Sequence, residues 1–345
     1  MDLRSKTERC FGGMNCDIGY VGYYDDCFHG AERLYVIKGG PGTGKSHLMK
    51  EIAKNALAKG EAVRFIHCGS DATSLDGVYL PNRRIGVLDG TAPHPKEPKL
   101  PGIDGEIWNL GQFWNSTTLR GAKEEILTRA KEKEALYTSV YRTFSAMRNL
   151  RLDLREAILS TLDREKIEKA ARRTVEAIRG EGEERICQSR AVGMGGEIDL
   201  SRVQDSIFIG VRDEFACGYY YLEALRAQAK QKGIPCLLSY HPIYHDEPQK
   251  ISFPTVGVTY TSAPEPEVAR CMHLRRFRDR EAFVRLRAEC KELQRLADSL
   301  YDRALLYFSH LREVHFNIER IYTSAMDFDA IDNFTKKQLT VLLGK

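Results

Sequence analysis

Leu34-Tyr35-Val36-Ile37-Lys38-Gly39-Gly40-Pro41-Gly42-Thr43-Gly44-Lys45-Ser46 is the stretch on which the reading of the whole chain turns. Leu34 to Ile37 has the apolar run of a buried strand, the glycines break it, and an amphipathic helix follows. Gly39 to Ser46 fits the G-x-x-x-x-G-K-[ST] pattern, in the strand-to-helix position that the pattern requires. Glycines at those places let consecutive backbone N–H groups turn inward as an anion cradle, and the positive end of the helix adds to it. Phosphate oxygens are the natural occupant. The expected nucleotide-binding residues are Gly39, Gly40, Pro41, Gly42, Thr43, Gly44, Lys45, Ser46 and His47. Lys45 should reach the β and γ phosphates, and the Ser46 hydroxyl should complete the coordination of Mg2+.

Such a site also needs a carboxylate at the tip of a neighbouring strand, to orient the metal through its water shell. Asp89, closing Arg84-Ile85-Gly86-Val87-Leu88-Asp89, supplies one; the plain alternative is an aspartate that caps the next turn. Gly90 follows it, so the adjacent glutamate that positions attacking water in many ATP-driven motors is missing. Asp71 and Asp76, in the expected loop Gly69 to Gly77, are candidate bases toward water or a substrate hydroxyl, with local turns as the alternative. Asp104 and Glu106 are secondary candidates, and His94 could sense phosphate or belong to a plain Pro-rich loop. Arg83 and Arg84 read as transition-state charge stabilisers or as solvated surface. His67 and Cys68 read as packed core, and Trp108 and Trp114 as packing for a short helix.

The chain carries a faint internal repeat. Gly60 matches Gly233 and Ile52 matches Leu225, and further on Gly86, Val87, Ala92 and Pro93 match Gly257, Val258, Ala263 and Pro264 in the same order. Each copy reads as strand, loop, amphipathic helix and two further strands, Ala62 to Cys68 and Arg84 to Leu88 in the first, Ile234 to Tyr240 and Thr255 to Tyr260 in the second. Strands alternating with helices imply an α/β fold with duplicated P-loop-like parallel sheets flanked by helices. Long helical regions follow, Gly121 to Leu162 and Arg280 to Met326, each with a heptad seam, interrupted in the first by Arg151. The two are expected to pack on each other, with self-association or a protein partner through them as the alternative. The expected divisions are a P-loop domain with helical extension at 1–180, a Gly-rich linker at 181–200, and a degenerate P-loop-like domain with its own extension at 201–345.

Composition sets the class. With 345 residues, 42% hydrophobic and 29% charged, the chain can bury a real core and is neither disordered nor collagen-like. A net charge of +4 does not announce nucleic acid or an anionic membrane, and the arginines among the long helices, such as Arg148, Arg151, Arg155, Arg172 and Arg173, read as solvated faces. No stretch is apolar enough for a membrane span, the start lacks the apolar run of a signal peptide, and nine cysteines include no C-x-x-C pair. A cytoplasmic location with free thiols is the expectation.

In the second copy Gly44, Lys45 and Ser46 fall on Cys217, Gly218 and Tyr219, and Asp213 and Glu214 put negative charge where phosphate would enter. Asp89 falls on Tyr260 or Thr261, so this copy should keep the fold and lose the nucleotide. The chain resembles a bacterial P-loop ATP-binding protein (ATPase) family built from two P-loop-like halves. The resemblance rests on Ile37 to Ser46, His67-Cys68, Ser74-Leu75-Asp76-Gly77, Leu88 to His94, Gly12-Gly13-Met14-Asn15 and Gly105 to Trp114. It implies ATP binding and hydrolysis; the eroded second cradle departs from the two-site pattern. No N-K-x-D element is present to read guanine, which favours ATP.

Three functions fit this reading. The first is Mg2+-dependent ATP hydrolysis coupled to a conformational change. The second is a small-molecule kinase, for which the acidic loop Asp71 to Asp76 would hold an acceptor hydroxyl. The third is a nucleotide-gated protein-binding module with negligible turnover.

Overall fold

The structure, a computed structural model, describes residues 7–91, 97–98, 100–200, 206–265 and 267–344. The first half runs β1 (Thr7–Phe11), β2 (Gly13–Cys16), β3 (Gly19–Gly22), α1 (Tyr24–Cys27), β4 (Arg33–Lys38), α2 (Lys45–Ala58), β5 (Val63–His67), β6 (Leu75–Leu80), β7 (Ile85–Asp89), β8 (Gly105–Asn109), α3 (Ser116–Gly121), α4 (Lys123–Leu159) and α5 (Arg164–Glu176). The second runs β9 (Glu184–Ile186), β10 (Arg190–Gly193), β11 (Gly196–Asp199), β12 (Ile207–Arg212), α6 (Tyr219–Gln231), β13 (Cys236–Tyr240), β14 (Pro248–Phe253), β15 (Val258–Thr261), β16 (Arg270–His273), α7 (Arg280–Ser324) and α8 (Phe328–Leu343).

Two six-stranded sheets have the orders β1-β5-β6-β7-β4-β8 and β9-β13-β14-β15-β12-β16, position for position the same arrangement. The faint repeat in the sequence is therefore a duplication in three dimensions. The sheets are mixed, not parallel as expected: β6 and β14 run antiparallel to both neighbours. The reason lies in the turn between β5 and β6, which is too short for the crossover that parallel strands need. Asp71 closes it, accepting from the backbone N–H and hydroxyl of Thr73 and from the Ser74 hydroxyl. The expected loop Gly69 to Gly77 thus gives way at Leu75 to a strand that is buried along its whole length. Residues 181–200, expected as a linker, contain β9, β10 and β11. β9 joins β13 as β1 joins β5, and the β10–β11 hairpin repeats β2–β3.

The two heptad seams meet as an antiparallel pair. Val140, Phe144 and Met147 of α4 share a buried cluster with Ala304, Phe308, Leu311 and Val314 of α7, and the Phe144 and Phe308 rings lie 6.1 Å apart. Short antiparallel bridges close both ends, Trp114 with Met326 and Leu162 with Arg278. Arg278 stands 164 residues after Trp114 and Met326 stands 164 after Leu162, so the pair has an approximate two-fold relation. Beyond the bridges the terminal helices cross over. Asp163 and Asp327 cap them through the N–H groups of Lys166 and Ala330. α5 then packs against α6 of the second half, with Ile167, Ala171 and Val175 beside Leu222, Leu225 and Ala229. α8 packs against α2 of the first half, where Leu342 and Leu343 join the cluster of Leu48, Met49 and Ile52. Among the described residues no helix is long and apolar enough to cross a membrane.

Candidate functional site

The Gly-rich turn sits at the carboxyl end of β4, between β7 and β8. Gly42 and Gly44 take φ of +68° and +83°, backbone that a side chain would strain, and Gly44 opens α2. Thr43 is buried and its hydroxyl donates to the Gly40 carbonyl at 2.8 Å, pinning the turn from inside. Lys45 folds back over it, donating to the carbonyls of Gly39 at 3.1 Å and Gly40 at 2.6 Å.

Asp89 ends β7 on the strand directly beside β4. Its Oδ2 lies 3.5 Å from Lys45 Nζ, with both side chains nearly buried, while Oδ1 accepts from the N–H and hydroxyl of Thr91. The carboxylate therefore both caps the following turn and faces the lysine, so the two alternatives drawn from the sequence coexist. The Ser46 hydroxyl accepts from Leu75 N–H at 3.0 Å, which ties the start of α2 to β6. His47 is exposed on α2.

The other candidates fall elsewhere. Both oxygens of Asp71 are engaged by Thr73 and Ser74 in the local turn. Asp76 lies on β6, not in a loop, and its buried carboxylate accepts from Tyr24 OH at 2.9 Å. Asp104 accepts from Leu100 N–H, and Glu106 lies within 3.4 Å of Trp108 Nε1. His94 lies outside the described residues. Arg83 and Arg84 precede β7, at the far edge of the sheet from Asp89; Arg83 holds Glu61 and the last carbonyls of α8, and Arg84 pairs with Glu32. Trp108 stands on a strand and packs against Tyr35 and Phe334, whereas Trp114 follows a 3-10 turn and packs on Tyr322. His67 is buried and neutral in its contacts: Nδ1 donates to Ala72 O and Nε2 accepts from Arg9, and burial lowers its pKa.

Sequence reasoning missed the helices that cover the turn. The last turns of α7 lie on its crest: a Cβ at Gly40 would stand 2.7 Å from the Tyr322 ring, and one at Gly42 2.8 Å from the Glu319 carbonyl. Thr323 Oγ1 donates to the Gly42 carbonyl at 3.4 Å. Lys133 of α4 donates to His315 Nδ1 at 3.0 Å, and His315 Nε2 lies 3.4 Å from Glu319. Burial pulls the Lys133 ammonium below its ordinary pKa, and the positive Lys45 adds to the shift. Tyr137 donates to Ser70 Oγ at 2.9 Å, clamping the β5–β6 turn to α4, and Tyr141 donates to Asn15 Oδ1 at 2.9 Å, which ties β2 to the same helix. Thr323 and Gly42 are 281 positions apart, and of these side chains only Tyr137 belongs to the heptad seam, so the sequence held no local signal for the rest.

The second cradle is closed by construction. Gly218 caps α6 as Gly44 caps α2, so the structure puts the buried Tyr219, and not Gly218 as the sequence repeat predicts, at the position of Lys45; a Cβ at Gly218 would stand 2.7 Å from the Val211 carbonyl and 2.9 Å from Ser262 Cβ. Thr261 takes the place of Asp89, its hydroxyl accepting from Ala263 N–H as Asp89 accepts from Thr91. Arg151, expected on a solvated face, is buried and fills the loop: it donates to the carbonyls of Phe215 and Ala216 and to Glu247. Arg148 and Arg155 pair with Asp246.

No family model, curated protein or solved structure matches the chain. Among the described residues no group of three or more His, Cys, Asp or Glu side chains is placed to hold a metal ion. A hydrated Mg2+ bridging phosphates does not need one, because it is ordinarily held by one or two protein oxygens.

Proposed function

We propose that the chain is a Mg2+-dependent, ATP-binding P-loop NTPase whose first half binds the nucleotide and whose turnover moves the paired long helices. The observation that carries this reading is the convergence of Lys45, Ser46 and Asp89 at the mouth of a glycine turn directly under the end of α7. Residues and turn geometry fit a triphosphate tail. The amides of the Gly39 to Gly44 turn would receive its oxygens, and Lys45 would leave the Gly39 and Gly40 carbonyls for the β and γ phosphates. Mg2+ would supply charge neutralisation of the phosphates. The Ser46 hydroxyl would hold it directly and Asp89 through water, which also parts Asp89 from Lys45.

Coupling follows from contact. Any widening of the turn presses on Tyr322, Thr323 and Glu319, and α7 runs from there along α4 to the other half. The same contact supports the nucleotide-gated module as the second reading. The kinase reading has less support, since both oxygens of Asp71 are held in a turn and Asp76 is buried under Tyr24.

The test is product analysis with ATP and Mg2+. Free phosphate that disappears in Lys45→Ala supports hydrolysis. Nucleotide bound without any release leaves the gated module, and a phosphorylated metabolite establishes the kinase.

A further inference from the structure

The second half lacks the Lys-Ser pair of the glycine turn, yet the same edge of its sheet carries a cluster of arginines. From the last residue of β16 the chain reads His273-Leu274-Arg275-Arg276-Phe277-Arg278-Asp279-Arg280. The duplication supplies an internal control, because the matching segment from the last residue of β8 reads Asn109-Leu110-Gly111-Gln112-Phe113-Trp114-Asn115-Ser116. What the fold requires is common to both. Leu110 and Leu274 are buried, and Asn115 and Asp279 each cap the following helix. None of the four arginines has a counterpart in the first copy; Arg278 answers the buried Asp213, but no such structural partner accounts for Arg275, Arg276 and Arg280 among the described residues.

Arg275, Arg276, Arg278 and Arg280, joined by Arg212 at the end of β12, line a cavity of about 940 Å3. The loop carboxylates that would repel an anion are spent. Asp213 is paired with Arg278 and Glu214 with Arg287. Arg212 is anchored by the carbonyls of Ser262 and Ala263. Arg275, Arg276 and Arg280 are exposed and have no carboxylate partner among the described residues. Arg278 is only 6% exposed at its side chain, lies over the Phe283 ring, and leaves its buried Nε without a hydrogen-bond partner among the described residues. A buried, unanswered guanidinium N–H is costly unless a ligand meets it.

We propose that this cavity is a binding site for a small ligand bearing two or more phosphate groups. Guanidinium forks match phosphate oxygens bidentately, and the site lies at the carboxyl edge of an α/β sheet, where such folds bind ligands. A concavity of this size, with arginines from two strand ends around it, suits a compact polyanion better than an extended strand of nucleic acid, which calls for a stripe with stacking aromatics. The proposal does not depend on nucleotide binding in the first half.

The experiment is calorimetric titration of the full chain with inorganic tripolyphosphate, in the Lys45→Ala background so that the first cradle does not contribute. The expected result is one-to-one binding that weakens about tenfold or more when Arg275→Ala and Arg276→Ala are added. Both arginines are exposed, so these changes leave the fold intact, which circular dichroism checks. Absence of binding in Lys45→Ala, or unchanged affinity in the combined variant, overturns the proposal. So does a single-stranded oligonucleotide that displaces tripolyphosphate and binds more tightly as its length is increased, because the surface is then a nucleic-acid track.

Discussion

Arg151 Nη2 donates to Glu247 Oε2 at 2.7 Å, from a helix of the first half to the β13–β14 connection of the second, with both side chains almost wholly buried. Burial opposes the charge, but the Glu247 carboxylate overcomes it and holds the guanidinium above its ordinary pKa. A buried pair of this kind is weak evidence for stability in itself, but breaking it strands a charge. Arg151→Ala or Glu247→Gln should therefore each cost about 3–5 kcal/mol, read from urea denaturation. Replacing both with apolar residues of similar volume should recover most of that loss. If the single variants unfold at the wild-type midpoint, the pair does not join the halves.

Lys45→Ala should lower nucleotide turnover by roughly two orders of magnitude or more, the scale of removing one preorganised charge donor from a transition state. Asp89→Asn should act through the metal, weakening the Mg2+ dependence of turnover and leaving metal-free nucleotide binding almost unchanged. Turnover measured against Mg2+ concentration separates the two. Equal Mg2+ dependence in wild type and Asp89→Asn would remove the carboxylate from the metal site.

Gly40→Ala should clash with the Tyr322 ring, because the added Cβ would stand 2.7 Å from it. The nucleotide affinity of this variant should fall, and Tyr322→Ala should restore it. A double-mutant cycle measures that coupling, expected at about 0.5–3 kcal/mol for groups in contact. A zero coupling energy would show that the turn and α7 are mechanically independent.

Two histidines set an acid limit on stability. Burial holds the pKa of His67 below its ordinary value, and that of His241 well below, where Nδ1 accepts from Ile243 and Tyr244 N–H. The unfolded chain takes up protons below about pH 6.5 and the folded chain does not, so stability is full above that pH and falls as pH drops below it. The slope should approach about 1.4 kcal/mol per pH unit for His241, whose shift is the larger, and be shallower for His67. His67→Gln should remove its share, as measured by denaturation midpoints between neutral and mildly acid pH.

The glycine turn, its strand and its helix were legible because the information is local: the pattern, the apolar run and the helix are consecutive in the chain. Asp89 was legible for the same reason, as a carboxylate ending an apolar strand. β6 was not, because Asp76 and Gly77 look like loop residues until Tyr24, fifty-two positions earlier, is seen to satisfy the carboxylate. The glycines between 180 and 196 suggested a linker, but hairpin turns use the same residue, as Gly196 does at φ +84°. Arg151 seemed to interrupt an apolar seam; its partners lie between sixty-four and ninety-six positions away and could not be paired from spacing. The duplication itself was read correctly from a handful of matches, because its two sheets have kept their order while the residues diverged.

The exchange of α5 and α8 makes the halves hostages to one another. Clipping the chain before Phe328 would strip the apolar lid from α2 of the first half, some 280 residues upstream, although no residue of the glycine turn had been touched. Each half is completed by the other's last helix, so neither can be removed without baring apolar surface on the one that stays.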